Sequence, residues 1–208
     1  MKLKIVFFLF VLLCSSSLFA KVTTDIKLGG LYGYNNTTYT DYDIKNDHNL
    51  IGFGAGCDVE FNKHFGLFFN LDCLFPLEKQ EDTFDLFGLI TVPDLKFYTH
   101  SVEGVEFVQY FNDNVKMRIG GLLAVEQKFY KAGSDSLVET LVGPGAKFDT
   151  TFLFNKCFGL NIGVDSSLFF WGFYLYSNHS DGSGMLEDFI EFNIIPSLSL
   201  VWHIGGSH

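Results

Sequence analysis

Long runs of alternating apolar and polar residues are joined by very short turns, and a repeated stretch marks two of these turns. The stretch 61–72 recurs at 154–165 with seven of its twelve positions identical, and a looser copy surrounds 112–114. Each copy has the pattern of a strand end, a tight turn and the start of the next strand. Short turns of Asn, Asp, Lys and Gly between alternating runs are typical of β-hairpins. The repeat therefore predicts an all-β chain.

Eight segments alternate in this way and predict eight antiparallel strands. Each segment places apolar side chains on one face and small or polar side chains on the other, with the period of two expected of a half-buried strand. In the fourth segment, Glu103 and Glu106 have opposite parity, which predicts a bulge near Gly104. The approximate strand bounds are 25–34, 50–61, 65–75, 95–111, 115–129, 139–154, 158–176 and 189–204.

The connections between these strands alternate in length. The second, fourth and sixth are short turns, whereas the others are longer polar loops at 35–49, 78–94, 130–137 and 177–188. An even number of antiparallel strands with short turns at one end and long loops at the other is the signature of a transmembrane β-barrel. Each segment is also long enough to cross a bilayer. The predicted fold is an eight-stranded, antiparallel, up-and-down transmembrane β-barrel.

A soluble eight-stranded barrel, such as a lipocalin, would show the same strand count. Its apolar face would point inward, and its outer face would carry the charges. Here the polar face is rich in glycine, and a small barrel has interior room only for small or polar side chains. Rows of Phe, Ile and Leu would then face outward, which favours lipid as the surrounding medium. The glycines assigned to the inner face are Gly29, Gly52, Gly54, Gly56, Gly66, Gly120, Gly159 and Gly163.

Residues 1–20 have the pattern of a cleaved secretory signal peptide, which leaves a barrel domain over 21–208. Two lysines precede an apolar core that is too short to span a bilayer, and small residues follow it. The alternative is a lipoprotein signal with a lipidated Cys14, although Leu13 fits that pattern poorly. Export with short turns on the inner side predicts that both termini lie in the periplasm.

Charge and cysteine content exclude several classes of protein. Removing the two signal lysines leaves 12 basic residues against 24 acidic ones, so the formal net charge is −12. An acidic exported chain is a poor nucleic-acid ligand. The remaining cysteines, Cys57, Cys73 and Cys157, are odd in number and poorly spaced for a disulfide, so we interpret them as small wall residues. No metal-ligand spacing, phosphate loop or cofactor motif is present.

These features resemble those of the small eight-stranded outer-membrane barrels, the group that contains OmpX, OmpW and the transmembrane domain of OmpA. The resemblance covers the mature chain and rests on its signal peptide, turn repeats, loop alternation and Phe-Gly-Leu strand starts. It implies an integral protein of the bacterial outer membrane, with lipid as its surroundings and no cofactor. Its partner would be a small hydrophobic ligand or a host or other extracellular surface molecule. One departure is the C-terminus, which continues past Trp202 where such barrels often end on an aromatic residue.

The half of the inner face near the short turns is charged, and charges inside a narrow barrel must pair. One interpretation is a packed plug, with three basic side chains inside a ring of carboxylates. The other is a narrow path that favours cations, because acidic residues outnumber basic ones. The predicted lumen network consists of Asp58, Glu60, Asp72, Glu106, Lys116, Arg118, Lys147, Asp149 and Asp165.

The half of the inner face near the long loops is less polar. An apolar pocket above a polar floor would resemble the arrangement in OmpW, in which a small hydrophobic compound enters from outside and leaves sideways. The alternative is that these side chains simply fill a structural barrel or adhesin. The predicted pocket residues are Leu31, Leu74, Leu122, Phe169, Trp171 and Phe173.

A catalytic site at the outer rim would depend on the Ser, His and Asp residues of the stretch 177–181, with His48 and His100 at a similar height. In the lipid A deacylase barrels, a Ser follows the His by two residues. Asp181 occupies that position here. The sequence therefore predicts a protein that is not an enzyme, and a lipid-modifying activity is the weaker alternative.

Overall fold

The computed structural model describes residues 22–39, 44–61, 63–78, 94–132, 135–177, 182–186 and 188–205. The predicted signal peptide and most of the second long loop lie outside these ranges. In the described part of the chain, no helix is long and apolar enough to cross a membrane. The strands are β1 Thr23–Tyr39, β2 Ile44–Glu60, β3 Phe65–Pro76, β4 Asp94–Asn112, β5 Val115–Ala132, β6 Asp135–Leu153, β7 Phe158–Phe169, β8 Trp171–Ser177, β9 Gly182–Leu186 and β10 Phe189–Ile204.

The strands form one closed, wholly antiparallel barrel. Strands β1 to β7 pair in chain order, β7 pairs with β10, and β10 pairs with β1 to close the ring. Strand β8 continues β7 beyond a break at Phe170, and β9 leads into β10 past Asp188, whose φ of 55° lies in the left-handed region. The ten segments therefore make eight walls, and the predicted transmembrane β-barrel fold is confirmed.

The pairing registers define the width of the barrel. A row of directly paired residues that starts at Leu28 reaches Val115 in one direction and Val125 in the other, and both lie on β5. One circuit thus shifts the chain by ten residues, a stagger that requires strongly tilted strands. Eight strands leave an interior just wide enough for side chains to fill. The row passes through Leu200, Leu160 and Phe152 on one side and Ala55, Leu71 and Ser101 on the other.

The three short turns lie where the repeat predicts them, all at the same end of the barrel. In the β6–β7 turn, Oδ1 of Asn155 accepts hydrogen bonds from the backbone N–H groups of Cys157 (2.8 Å) and Phe158 (2.9 Å). In the β4–β5 turn, Oδ1 of Asn112 accepts one from the N–H of Asn114 (2.8 Å). An Asn side chain that bonds the backbone two residues on stabilises a tight turn. This geometry explains why Asn occupies these two turns.

The two faces of every wall are reversed relative to a soluble barrel. Outward side chains are large and apolar, and those of Leu28 on β1 and Leu200 on β10 are 64% and 68% exposed. Inward side chains are buried, and most of those near the short turns are small or polar. At Gly29, an added Cβ would overlap Oγ of Ser199, whereas outward-facing Gly30 has nothing within 4 Å. Glycine is therefore accommodated at position 29 because Leu198 and Ser199 of the neighbouring strand β10 occupy the space that a Cβ would need.

Two predictions of local structure are wrong. The stretch 35–49 was expected to be a loop, but β1 and β2 stay paired through most of it because their inward polar side chains bond inside the barrel. The expected bulge near Gly104 is also absent, since that residue pairs regularly with both neighbouring strands. The register of β4 shifts instead between Leu95 and Phe97 and near Tyr110. Glu103 consequently faces outward while Glu106 faces inward.

The contrast between adjacent glycines of β1 gives a test of the inward and outward assignments. Gly29→Ala is expected to lower the free energy of unfolding by about 1–3 kcal/mol, because its Cβ would overlap Leu198 and Ser199 of the neighbouring strand β10. Gly30→Ala is expected to change it by less than about 0.5 kcal/mol. Urea unfolding in lipid vesicles, followed by the folded and unfolded bands on unboiled gels, measures both. Equal losses for the two variants would contradict the assignments.

Candidate functional site

The predicted lumen network lies on the inner face of the barrel, as the alternation predicts. Eight of its nine members are buried, and Asp165 is half-buried. Seven of them form one ion-pair network at the short-turn end. Asp72 and Asp165 lie nearer the middle of the barrel, where Asp72 faces Nδ1 of His100 at 3.4 Å and Asp165 accepts a hydrogen bond from Asn70 at 3.2 Å.

Arg118 is the centre of this ion-pair network at the short-turn end, the lower network of the lumen. Its guanidinium group is fully buried, and its nitrogens lie 2.8 Å from Glu60 and 3.1 Å from Asp149. It also contacts Asp25 and lies within 3.3 Å of two further carboxylates. A planar fork of five N–H donors can serve several carboxylates at once, which a single ammonium group cannot do as well. Arg118 therefore bridges the carboxylates that surround it.

Lys147 explains a group of three carboxylates that would otherwise suggest a metal site. Oxygens of Asp58, Glu106 and Asp149 lie close enough together to hold an ion. The Nζ atom of Lys147 lies 2.9, 2.9 and 3.1 Å from these three groups, and it sits 4.0 Å above the ring of Phe68. The ammonium group thus supplies the positive charge that a metal would bring.

The network also includes three inward residues that the sequence analysis did not assign to it. Lys27 bridges Asp58 at 2.8 Å and Asp149 at 3.4 Å, and Asp25 accepts from Lys116 at 2.8 Å. The His203 ring lies 2.5 Å from Asp25. Asp25 and Lys27 lie on the same face of β1 as Gly29, and all three of the added residues lie close to the short turns. These two features were the signal available in the sequence. Side chains from all eight walls now take part, since Asn161 of β7 bonds Asp149 and Phe68 of β3 lies under Lys147.

A second polar network lies in the lumen near the long loops, among the buried apolar side chains that make this half less polar than the other. Lys128 contacts Glu191 and lies 3.7 Å from Glu126. Glu191 also accepts hydrogen bonds from Thr37 (2.6 Å) and Asn35 (2.5 Å). Residues 35–39 and 44–49 therefore continue β1 and β2. Even-numbered residues of β5 face inward, and this alternation was the signal in the sequence that Glu126 and Lys128 are buried.

The predicted apolar pocket is only partly present. Leu31, Leu74, Leu122 and Phe169 lie inside and are packed into one buried cluster. The inward assignment of Trp171 is wrong, because the break at Phe170 inverts the alternation and leaves Trp171 46% exposed on the outer wall. Phe173 shares that face and meets Trp171 edge to face, with ring centroids 6.2 Å apart.

A small polar cavity lies between the two networks. Its volume is about 30 Å³, which is room for about one or two water molecules. His48 and His100, for which the sequence predicts a height near the outer rim, are buried inside the barrel. The rest of the considered catalytic stretch, 178–181, lies outside the described residues. The cavity is lined by Lys27, Leu31, Gly54, Ala55, Gly56, Asn70, Asp72, Asn161, Asp165, Ser197 and Ser199.

Removing the central cation tests the role of the lower network. Arg118→Met is expected to lower the free energy of unfolding by about 3–5 kcal/mol, because it leaves buried carboxylates without their partner. The control is Lys96→Met, which removes an exposed pair with Asp94 and is expected to cost less than about 1 kcal/mol. Urea unfolding in vesicles measures both. A loss below 1 kcal/mol for Arg118→Met would contradict the central role of this residue.

Comparison with known proteins finds a shared fold without detectable sequence kinship. No protein-family model and no curated protein matches the chain. The attachment invasion locus protein Ail of Yersinia pestis superimposes with a TM-score of 0.53 at 12% identity, covering 88% of this chain and 99% of Ail. Its complex with the heparin analogue sucrose octasulfate gives a TM-score of 0.50 at 15% identity, with the same coverage.

Two further outer-membrane proteins give similar values. OprG from Pseudomonas aeruginosa has a TM-score of 0.57 at 8% identity, covering 90% of this chain and 98% of OprG. AlkL, determined in lipid bilayers, has a TM-score of 0.55 at 9% identity, covering 91% and 93%. These structural similarities agree with the outward apolar faces and the closed ring of eight walls described above. The chain has the fold of the small eight-stranded outer-membrane β-barrels.

Proposed function

We propose that this protein is an integral outer-membrane barrel that anchors surface-exposed loops for binding an extracellular partner, with a lumen closed to solutes. The observation that carries the proposal is the filled interior, which two ion-pair networks and an apolar cluster occupy together. A barrel closed in this way is a rigid support and has no path for solutes through its lumen. Its loops are then the part of the molecule available for recognition.

The distribution of outward side chains supports placement in a membrane. An aromatic belt near the short turns includes Phe107 and Trp202, and a second belt includes Phe75, Phe97 and Phe129. Aromatic girdles at both edges of an apolar band are characteristic of outer-membrane barrels. We propose that the short turns and both termini face the periplasm, after cleavage of a signal peptide over residues 1–20.

Passage of small hydrophobic molecules is the less favoured alternative. Ligand pockets in proteins usually measure about 300–1,000 Å³, whereas the cavity here measures about 30 Å³ and has mostly polar walls. The apolar side chains Leu74, Leu122 and Phe169 belong to a packed cluster, and Leu31 of the same cluster also lines this small cavity. A hydrophobic compound would have to displace this packing and then meet the buried charges below it.

The charge of the loops indicates the chemistry of the partner. Residues 78–94 carry five acidic residues and one basic residue. Ail has been crystallised with a polyanion, a heparin analogue, but an acidic loop repels polyanions. We propose that the partner of this chain presents a cationic surface. Attraction between exposed charges of this kind weakens as salt is added.

A closed lumen predicts that the protein does not conduct ions steadily. In planar bilayers, the inserted barrel is expected to give no stable open current at 100 mV, because ion pairs of the lower network span the interior. Heat-denatured protein serves as the control, and a shifted band on unboiled gels verifies that the sample is folded. A stable cation-selective conductance would support the path instead of the plug.

Neutralising the acidic loop tests the partner chemistry. Intact cells that display the protein are expected to bind poly-lysine beads and not heparin beads. The triple variant Glu81→Gln, Asp82→Asn, Asp85→Asn is expected to bind poly-lysine about tenfold more weakly, because three negative charges are lost. The control, Asp113→Asn, changes a turn at the opposite end and should have no effect. Stronger binding to heparin than to poly-lysine would contradict the proposal.

A further inference from the structure

A single charged side chain lies in the middle of the apolar outer wall. Glu103 of β4 is exposed and faces outward, with Phe69 and Leu123 directly beside it on the neighbouring strands. Along its own strand it lies between Phe107 of the lower aromatic belt and Phe97 of the upper one. Among the described residues of the band between these belts, no other acidic or basic side chain faces outward.

The depth of Glu103 makes it costly in a membrane. It is four residues from Phe107 and six from Phe97, which places it roughly 10–15 Å from each belt when the rise per residue and the strand tilt are combined. A Glu side chain is too short to reach the headgroups from there. Ionisable residues at this depth are rare and usually mark a functional contact. Glu103 therefore needs a partner in the plane of the membrane.

The surroundings of Glu103 leave room for that partner. Gly121 lies diagonally beside it on β5, and an added Cβ there would meet nothing within 4 Å. The gap left by this glycine is a shallow notch in a wall of Phe, Leu and Val side chains. The nearby Ser101 hydroxyl donates to the carbonyl of Val125 at 3.3 Å. Glu103 has no hydrogen bond or ion pair with any described residue, so its carboxyl group is available.

We propose that this wall is a lateral dimer interface in which Glu103 meets Glu103 of a second copy. Two copies inserted in the same direction are related by an axis along the membrane normal, so identical residues meet at identical depth. A protonated carboxyl group offers one donor and one acceptor, and two such groups satisfy each other. A copy of this chain is thus the partner that matches both the depth and the hydrogen-bonding needs of Glu103. The inference rests on the proposed membrane placement.

Energy transfer between labelled copies tests the interface. Cys157 is exposed in the β6–β7 turn and accepts the dyes, in a background carrying Cys57→Ala and Cys73→Ala. The protein is reconstituted in phosphatidylcholine vesicles over a range of protein-to-lipid ratios. Unboiled gels first establish that each variant has folded and inserted, so a failed barrel is distinguished from a failed interface.

The parent protein is expected to show transfer above the level for random proximity, and added unlabelled protein should dilute it. Glu103→Leu is expected to require about tenfold more protein per lipid for the same transfer, since one interfacial hydrogen-bonded pair is lost. Gly121→Leu, which fills the notch, should weaken association as well. Glu103→Gln should retain it, because a carboxamide also offers donor and acceptor.

The matched control is Leu198→Ala on β10, the wall opposite β4 and at a similar depth, which should leave transfer unchanged. Folded and inserted protein with transfer at the random level at every density would overturn the dimer while leaving the proposed function intact. The same conclusion would follow if Glu103→Leu associated as well as the parent protein.

Discussion

The narrow interior of the barrel is the constraint on which the rest of the structure depends. Eight strands with a ten-residue stagger leave room for side chains and little else. Any charge that enters this space loses water and must be neutralised by another side chain. Arg118 meets this requirement for several carboxylates at once, and Lys147 meets it for three. The lumen is therefore filled by the groups that pair with one another.

The same pairing specifies the register of the strands. Because side chains alternate with a period of two, a slip of one residue would turn the charges of a wall toward lipid and its Phe and Leu residues inward. The lower network draws on every wall, so no wall can slip without leaving a buried partner uncompensated. The turn asparagines, Asn112 and Asn155, hold the hairpins at the same end. Local turn geometry and long-range ion pairing thus agree on one arrangement.

The alternation of residues was sufficient to predict the fold and most of the lower network, because parity decides which side chains can meet inside. It was not sufficient where the backbone breaks the period. Trp171 lies on the outer wall because of the irregularity at Phe170, which the pattern of residues does not predict. Asn35 is a residue type that is common in loops. Only its buried hydrogen bond to Glu191, more than 150 residues away, shows why β1 continues. Such contacts depend on tertiary structure that a local pattern does not contain.

This arrangement seals the polar face of each wall inside the barrel and turns the apolar face toward lipid. Nitroxide labels placed singly along β10, from Ile190 to Ile204, test it most directly in lipid vesicles. Labels at even positions are expected to be accessible to oxygen dissolved in lipid and inaccessible to a water-soluble nickel complex. Labels at odd positions are expected to be immobilised and inaccessible to both. Odd positions that collide freely with the nickel complex would contradict the sealed lumen.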